Sequence, residues 1–371
     1  MTLRKAIRRA LFALPLCALA SCGGIAGETS VPGGRLDEAG REEVLAVHGL
    51  LSRLYVRPEE IPPREKVWTI EETLAPLTDR WTFYFEPKKA EEEREEEEHA
   101  PVDTASGLPV PTVWSFRVAE GITLLRITQF KRVTMEGTTG DTSGTWLELR
   151  RALAATAAER VTLVDLRSNP GGNVELCLNM ADEFVPAGRV LLKMENRAAP
   201  WAGGKLRSER TARGGGIAEN RRFVFLANGG SASCSEIFLA AVRGNRDDPL
   251  VGERTYGKGI GQSVWNTPAG GQLRVTSLRV LGPNDESWDG VGLLPDVEVS
   301  GSVAQLERAL EEARKILALP APAPALPDSA LRTIASLPAA VPAVGAVAET
   351  AAADGAALLA LERPLSAETE E

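Results

Sequence analysis

Three glycine-flanked segments hold the residues whose types and spacing bear most directly on chemistry. Asp165-Leu166-Arg167-Ser168-Asn169-Pro170-Gly171-Gly172 sits where a buried strand hands over to a helix. Paired glycines there let the chain turn sharply and expose amide N–H groups, which suit a developing negative charge. A plain tight turn accounts for the same residues equally well. Asn228-Gly229-Gly230-Ser231-Ala232-Ser233-Cys234-Ser235-Glu236 follows another apolar strand and opens a helix. Ser233 at such a turn can stand above the sheet edge, as in a nucleophile elbow. Ser233-x-x-Glu236 also has the spacing of a capping box, in which a serine merely satisfies helix N–H groups, and taken alone it favours the cap. Gly252-Glu253-Arg254-Thr255-Tyr256-Gly257-Lys258-Gly259 spells G-x-x-x-x-G-K. A phosphate loop needs Ser or Thr next and then a helix. Here Gly259 follows, and Ile260 to Trp265 reads as strand, so nucleotide binding is a weak runner-up beside a glycine-bounded turn with a solvated lysine.

A nucleophilic serine needs a base. The chain has two histidines, His48 in a helix and His99 in a charged run, both far in sequence from the glycine-rich turns. A Ser-His-Asp triad is therefore disfavoured. A lysine can serve if burial disfavours its ammonium form, and Lys258, between glycines and before an apolar residue, permits burial.

The elements that must position these residues follow from periodicity. Val44, Leu45, Val47, Leu50, Leu51 and Leu54 recur at helical spacing over Glu42 to Leu54, and a second helical stretch runs from about Trp68 to Leu77. Asp79 to Pro87 is aromatic and closes this small N-terminal helical region (41–87). Lys88 to Glu98 is almost wholly charged and reads as a solvated helix or a connector, within a linker over 88–112. Trp114 to Phe130 reads as two strands joined near Glu120-Gly121. Val161 to Arg167, Arg189 to Lys193, Phe223 to Ala227 and Leu250 to Glu253 are further strands. Helices are expected over Gly144 to Ala158, Val174 to Val185 and Ser235 to Val242. Ser263 to Trp265 and Leu273 to Val280 form a hairpin around Pro268-Ala269-Gly270-Gly271. The alternation predicts an α/β core over 113–300 with crossover helices. A last helix is expected over Gln305 to Leu317, within 301–318. The stretch 319–371 is dominated by Ala and Pro and reads as a tail.

Residues 1–21 read as a targeting signal. Arg4, Lys5, Arg8 and Arg9 precede an apolar run, Ala10 to Ala20, too short to span a bilayer. It ends in Leu19-Ala20-Ser21-Cys22-Gly23, which looks like a lipobox with Cys22 as the lipidated residue; an ordinary cleaved signal is the alternative. Several acyl chains would anchor the protein firmly to a membrane. A cell-envelope location follows on either alternative, with 22–40 as tether. The formal net charge of -9 argues against nucleic acid as a partner, since phosphates need a basic face. Cys177 and Cys234 remain in the body, as a disulfide or as two buried thiols.

At these residues the chain resembles the C-terminal processing peptidases, or tail-specific proteases, over roughly residues 42–299. The motif S-A-S-x-S-E is Ser231 to Glu236, and the resemblance implies Ser233 as nucleophile. It implies Lys258, 25 positions on, as base, and Gln262 as the residue that orients that lysine. The N-P-G-G turn, with Gly171 and Gly172, resembles the oxyanion-hole loop, and the N–H of Cys234 would be the second donor. Gly290 to Asp296 matches a closing G-x-x-P-D segment. The implied fold is a mixed-sheet core of the ClpP/crotonase type, and the implied substrates are proteins or peptides, with no cofactor and no metal. Two departures stand out: residues 88–112 leave no room for a PDZ domain, and Gly244 stands where some members have an aspartate. A non-catalytic peptide-binding envelope lipoprotein of the same fold is the alternative function.

Overall fold

The computed structural model describes residues 37–102, 110–134, 144–197 and 205–318. The expected signal, Cys22, most of the tether and the Ala/Pro tail lie outside them. No helix among the described residues is long and apolar enough to cross a membrane.

Helix α1 (Glu38–Leu54) begins at Asp37, whose side chain accepts the Gly40 N–H, and buries Val44, Val47, Leu50 and Leu51. Helix α2 spans only Ile70–Leu74. It is shorter than the apolar spacing predicts, because Pro76 cannot extend it. The aromatic segment assigned to the helical region contains a strand, β1 (Phe83–Phe85). Helix α3 (Pro87–Glu98) follows. The charged run is thus a helix, and Glu93 and Glu97 pair with Arg274 at 3.0 Å and 3.3 Å, which docks it on the sheet below.

The core has two sheets. One contains β2 (Val113–Ala119), β3 (Ile122–Ile127), β4 (Val161–Asp165), β7 (Arg222–Ala227), β8 (Leu250–Gly252) and β11 (Val297–Glu298), in the order β11-β8-β7-β4-β3-β2. All its pairings are parallel except β2 with β3. Parallel strands need crossovers. Helices α4 (Thr145–Ala155), α5 (Val174–Asp182) and α6 (Cys234–Arg243) supply them. The strands are buried on both faces and read as continuous apolar runs. Phe223, Phe225 and Ala227 pack with Phe184, Phe238, Leu178 and Cys177 on one side. Val224 and Leu226 face the last helix, α7 (Ser302–Leu317), through Leu306, Leu310 and Ala313.

The other sheet is antiparallel and holds β1, β5 (Val190–Arg197), β6 (Lys205–Thr211), β9 (Ile260–Asn266) and β10 (Gln272–Leu281). The hairpin around Pro268 to Gly271 is present as β9–β10. Strand β6 was not legible in the sequence: Lys205 to Thr211 is polar apart from Leu206 and carries no strand alternation. Buried Glu43 of α1 accepts from Tyr84 Oη at 2.6 Å, from the Ala269 N–H at 2.8 Å and from Thr267 Oγ1, so the N-terminal region is fastened to the β9–β10 hairpin.

Candidate active site

Ser233 follows the turn after β7 and stands at the N-cap of α6. Its backbone has φ 53° and ψ -114°. An ordinary N-cap residue lies in the extended region, and a non-glycine at positive φ is rare and strained. The structure thus separates the two readings that the sequence left open. Glu236 does close its half of a capping box, accepting the Ser233 N–H at 3.0 Å. The serine itself, however, is bent into the left-handed region, as at a nucleophile elbow.

Glu236 is fully buried and has a second task that the sequence did not suggest. Its Oε2 also accepts the Lys258 N–H at 2.8 Å, and its Oε1 accepts the Gly257 N–H at 2.7 Å and the Thr255 hydroxyl at 2.6 Å. One carboxylate oxygen therefore ties the backbone of the serine to that of the lysine. Each amide nitrogen is within hydrogen-bond reach of it, so the two lie within about 6 Å of each other. Burial pushes this carboxyl up, and its four donors hold it against that effect. Only the capping spacing is visible locally; the bonds to 255–258 cross from α6 to another loop.

The N-P-G-G turn is locked to the serine loop through Asn169, which is fully buried. Its Nδ2 donates to the Ile127 carbonyl at 2.9 Å and its Oδ1 accepts the Gly171 N–H at 2.9 Å. Its carbonyl accepts from the Ala232 N–H and the Ser235 hydroxyl, each at 2.9 Å. Asp165 is buried between Arg126 and Arg167, at 2.8 Å and 2.7 Å, and the two guanidiniums hold its carboxyl well below the usual range despite burial. That triad fixes the strand end from which the turn departs.

The expectation for Gly171 needs correction. Its N–H is already given to Asn169, so it cannot also serve an oxyanion. What Gly171 supplies is the lack of a side chain. A Cβ there would lie 2.8 Å from the Cys234 N and 2.9 Å from Ser233 Cβ, closing the space in front of the Cys234 amide, and at φ 102° only glycine is relaxed. Gly172 and Cys234 remain as the candidate donors. Cys234 is a buried free thiol, as is Cys177, and its Sγ lies 3.1 Å from the Gly172 carbonyl.

Lys258 lies in the loop between β8 and β9, with Gly257 and Gly259 pressed against 289–292, where a Cβ at either would come within 3.0 Å of backbone nitrogens. Lys258 Nζ donates to Gln262 Oε1 at 2.8 Å, and Gln262 Nε2 donates to the Trp81 carbonyl at 2.5 Å. The Trp81 ring covers the ammonium, with Nζ 4.2 Å from its centroid. Burial pushes the lysine below its ordinary value, helped by the charges of Arg274 and Arg80 and opposed by Cys234 and Asp79. Trp81 was missed as a site residue: the aromatic run was legible, but not its position over Lys258. His48 bonds the Pro62 carbonyl and His99 the Glu95 carbonyl, both outside this site. Gly244 is packed against Pro283, where a Cβ would meet the ring at 2.7 Å, so no side chain is accommodated there.

Residues 121–299 match the model of peptidase family S41. A Staphylococcus haemolyticus protein named "Probable CtpA-like serine protease" is 31% identical over 142 residues, 38% of this chain and 27% of its own. A carboxy-terminal-processing protease of Bartonella bacilliformis is 28% identical over 184 residues, 50% of this chain and 40% of its own. The chain thus spans well under half the length of these curated relatives. Among solved structures, the photosystem II D1 C-terminal processing protease superposes with a TM-score of 0.55 at 18% identity, covering 74% of this chain and 97% of that one, which establishes the shared fold. The segment 121–299 is a peptidase family S41 domain, and the α/β architecture with an N-terminal helical region is that of its structural relatives.

Proposed function

We propose that this chain is a serine endopeptidase in which Ser233 is the nucleophile, Lys258 the base and Gln262 the residue that orients the base. The observation that carries the reading is the single oxygen, Glu236 Oε2, that accepts the N–H groups of both Ser233 and Lys258. The family of the core domain supports a serine-type peptidase.

In this mechanism neutral Lys258 Nζ takes the proton of Ser233 Oγ as the oxygen bonds to the peptide carbonyl carbon. The oxyanion meets the N–H groups of Gly172 and Cys234; such a donor typically contributes about 3–4 kcal/mol to the transition state. Lys258 returns its proton to the leaving amine as the C–N bond breaks. Water, giving a proton to the same nitrogen, then releases the acyl group from Ser233. Gln262 keeps Nζ aimed by accepting one of its hydrogens.

The substrates in this reading are envelope proteins or peptides cut near their C-termini. Cys22 carries the lipid that holds the enzyme at the membrane, and the docked helix α3 stands where a PDZ module would otherwise capture the substrate tail. Fluorophosphonate labelling together with casein turnover tests the activity. Label on Ser233 that is lost in Ser233→Ala, with no turnover in Ser233→Ala or Lys258→Ala, is expected; turnover retained in either purified variant overturns the assignment.

A further inference from the structure

Lys258 is covered by a part of the chain that lies outside the peptidase domain over 121–299. Its Nζ is 4.2 Å from the centroid of the Trp81 ring, well inside the range at which a ring face attracts a cation. Several bonds hold Trp81 there. Asp79 accepts the Trp81 N–H at 2.9 Å and the Thr82 hydroxyl at 2.7 Å. Thr82 Oγ1 accepts the Thr276 N–H at 3.0 Å, and Thr276 stands opposite Gln262 in the β9–β10 register. The turn 79–82 is thus fastened beside Gln262, whose Nε2 donates to the Trp81 carbonyl. The Tyr256 ring, two residues before Lys258, meets the indole edge to face at 6.0 Å.

What this cover does follows from the charges around Nζ. In the mechanism above Lys258 starts neutral and becomes an ammonium as it takes the serine proton. Burial opposes that charge, and so do the guanidiniums of Arg274 on β10 and of Arg80, which stacks on the same indole at 4.6 Å. The acidic groups nearby are engaged elsewhere. Asp79 is spent on its own turn, Glu236 on four donors, and Asp289 on the Gly259 N–H at 3.1 Å. The Cys234 thiol is bonded to the Gly172 carbonyl. Among the described residues no carboxylate forms an ion pair with Nζ, whose hydrogen goes to the amide oxygen of Gln262. A carboxylate in contact would hold the lysine protonated and leave no base. A ring face favours the ammonium by less, and it leaves the lone pair of the neutral amine free for the serine proton.

We propose that Trp81 is a positioning residue of this site: its ring face stabilises the ammonium that Lys258 becomes on taking the Ser233 proton, while its carbonyl keeps Gln262 in place to aim Nζ. The inference rests on the Ser233–Lys258 reading and adds to that site a residue from the N-terminal region.

The test uses the full chain, with tryptophan at 81 replaced site-specifically by analogues carrying one to four ring fluorines. Fluorine drains the π face and leaves the shape of the indole and the backbone carbonyl nearly unchanged. The readouts are kcat and KM for a quenched peptide, and the rate of fluorophosphonate labelling at Ser233, each against pH. The ring favours the ammonium, so weakening it lets Lys258 lose its proton more readily. The rising limb of both rates should move to lower pH step by step, by about 0.5–1 unit with four fluorines, as for loss of a partly buried cation–π contact. The plateau of kcat should fall about 2- to 5-fold, since the ammonium formed in the reaction is less stabilised, with KM unchanged. A limb and plateau that stay fixed across the series overturn the proposal, as does a limb moving to higher pH. A flat series beside an inactive, folded Trp81→Leu would make the ring a space-filling cover alone. No turnover and no labelling of Ser233 in the native enzyme instead removes the peptidase reading and this inference with it.

Discussion

Ser233 and Lys258 reach the site from different kinds of scaffold. Ser233 follows the turn after β7, whose Phe223, Phe225, Val224 and Leu226 are buried on both faces, and its turn is pinned by buried Asn169 and Glu236. Lys258 lies on the loop that leads from that sheet into β9 of the antiparallel one, and its ammonium is half-buried. Its cover and its electrostatic surroundings come from Arg274 on the neighbouring strand β10 and from Trp81 and the α3 carboxylates, which are far away in the chain. Ser233 is thus set by strained geometry and buried polar bonds, and Lys258 by the assembly of other parts around it. Damage to the first should appear as lost stability together with lost rate. Damage to the second should appear as a displaced pH profile on an intact fold.

The sharpest break removes either partner. Ser233→Ala and Lys258→Ala should each lower peptide turnover by about 10⁴-fold or more, with melting temperatures close to that of the parent; Ser233→Ala relieves no packing because the side chain loses one oxygen only. Next in size is Glu236→Ala, which strikes both halves. It leaves the N–H groups of Ser233, Gly257 and Lys258 without their acceptor, at about 1–3 kcal/mol for each group that stays buried. Urea unfolding should show a clearly lower midpoint, and turnover should fall at least about 100-fold, a loss of roughly 2.7 kcal/mol in transition-state stabilisation. A variant with parental stability and rate would refute the role of Glu236 as a tie.

Arg274→Gln isolates the base. In the proposed mechanism Lys258 acts when neutral, so activity should rise with pH through its pKa, which burial and neighbouring cations place below the ordinary 10.5. Removing Arg274 takes away one of those cations and frees Glu93 and Glu97, and both changes favour the ammonium. The rising limb of kcat/KM should therefore move to higher pH, while Arg274→Lys keeps it near its original position; a limb moving to lower pH contradicts the account. The smallest effect belongs to Cys234→Ala. If only its backbone N–H faces the oxyanion, turnover should stay within about 3-fold of the parent, since alanine keeps that donor, and a loss beyond about 100-fold would implicate the thiol.

The chemistry was legible in pieces. Glycines around 171, 233 and 258 marked the turns, and the scarcity of histidine turned attention to the lysine. Helix α1, the strands of the parallel sheet apart from short β11, and the β9–β10 hairpin were legible because their apolar periodicity is strong and local. Strand β6 was not, since Lys205 to Thr211 is polar apart from Leu206 and is a strand because β5 pairs with it. The role of Gly171 was misplaced as well. Sequence shows a glycine, but whether it donates an N–H or merely leaves room for its neighbour's depends on where Asn169 points.

By itself the sequence determined most of the strands and helices apart from β1, β6 and β11, the turns that carry Ser233 and Lys258, and the charged run over 88–98, because each depends on residues adjacent in the chain. Only the tertiary structure decided that Ser233 is bent to φ 53°, that Glu236 joins it to Lys258, and that Trp81 covers that lysine with the Arg80 guanidinium stacked beside it. Those facts rest on contacts between segments from about 20 to nearly 200 residues apart. Backbone strain, burial and the pairing of charges arise only when such segments meet, and no local pattern of residue types records them.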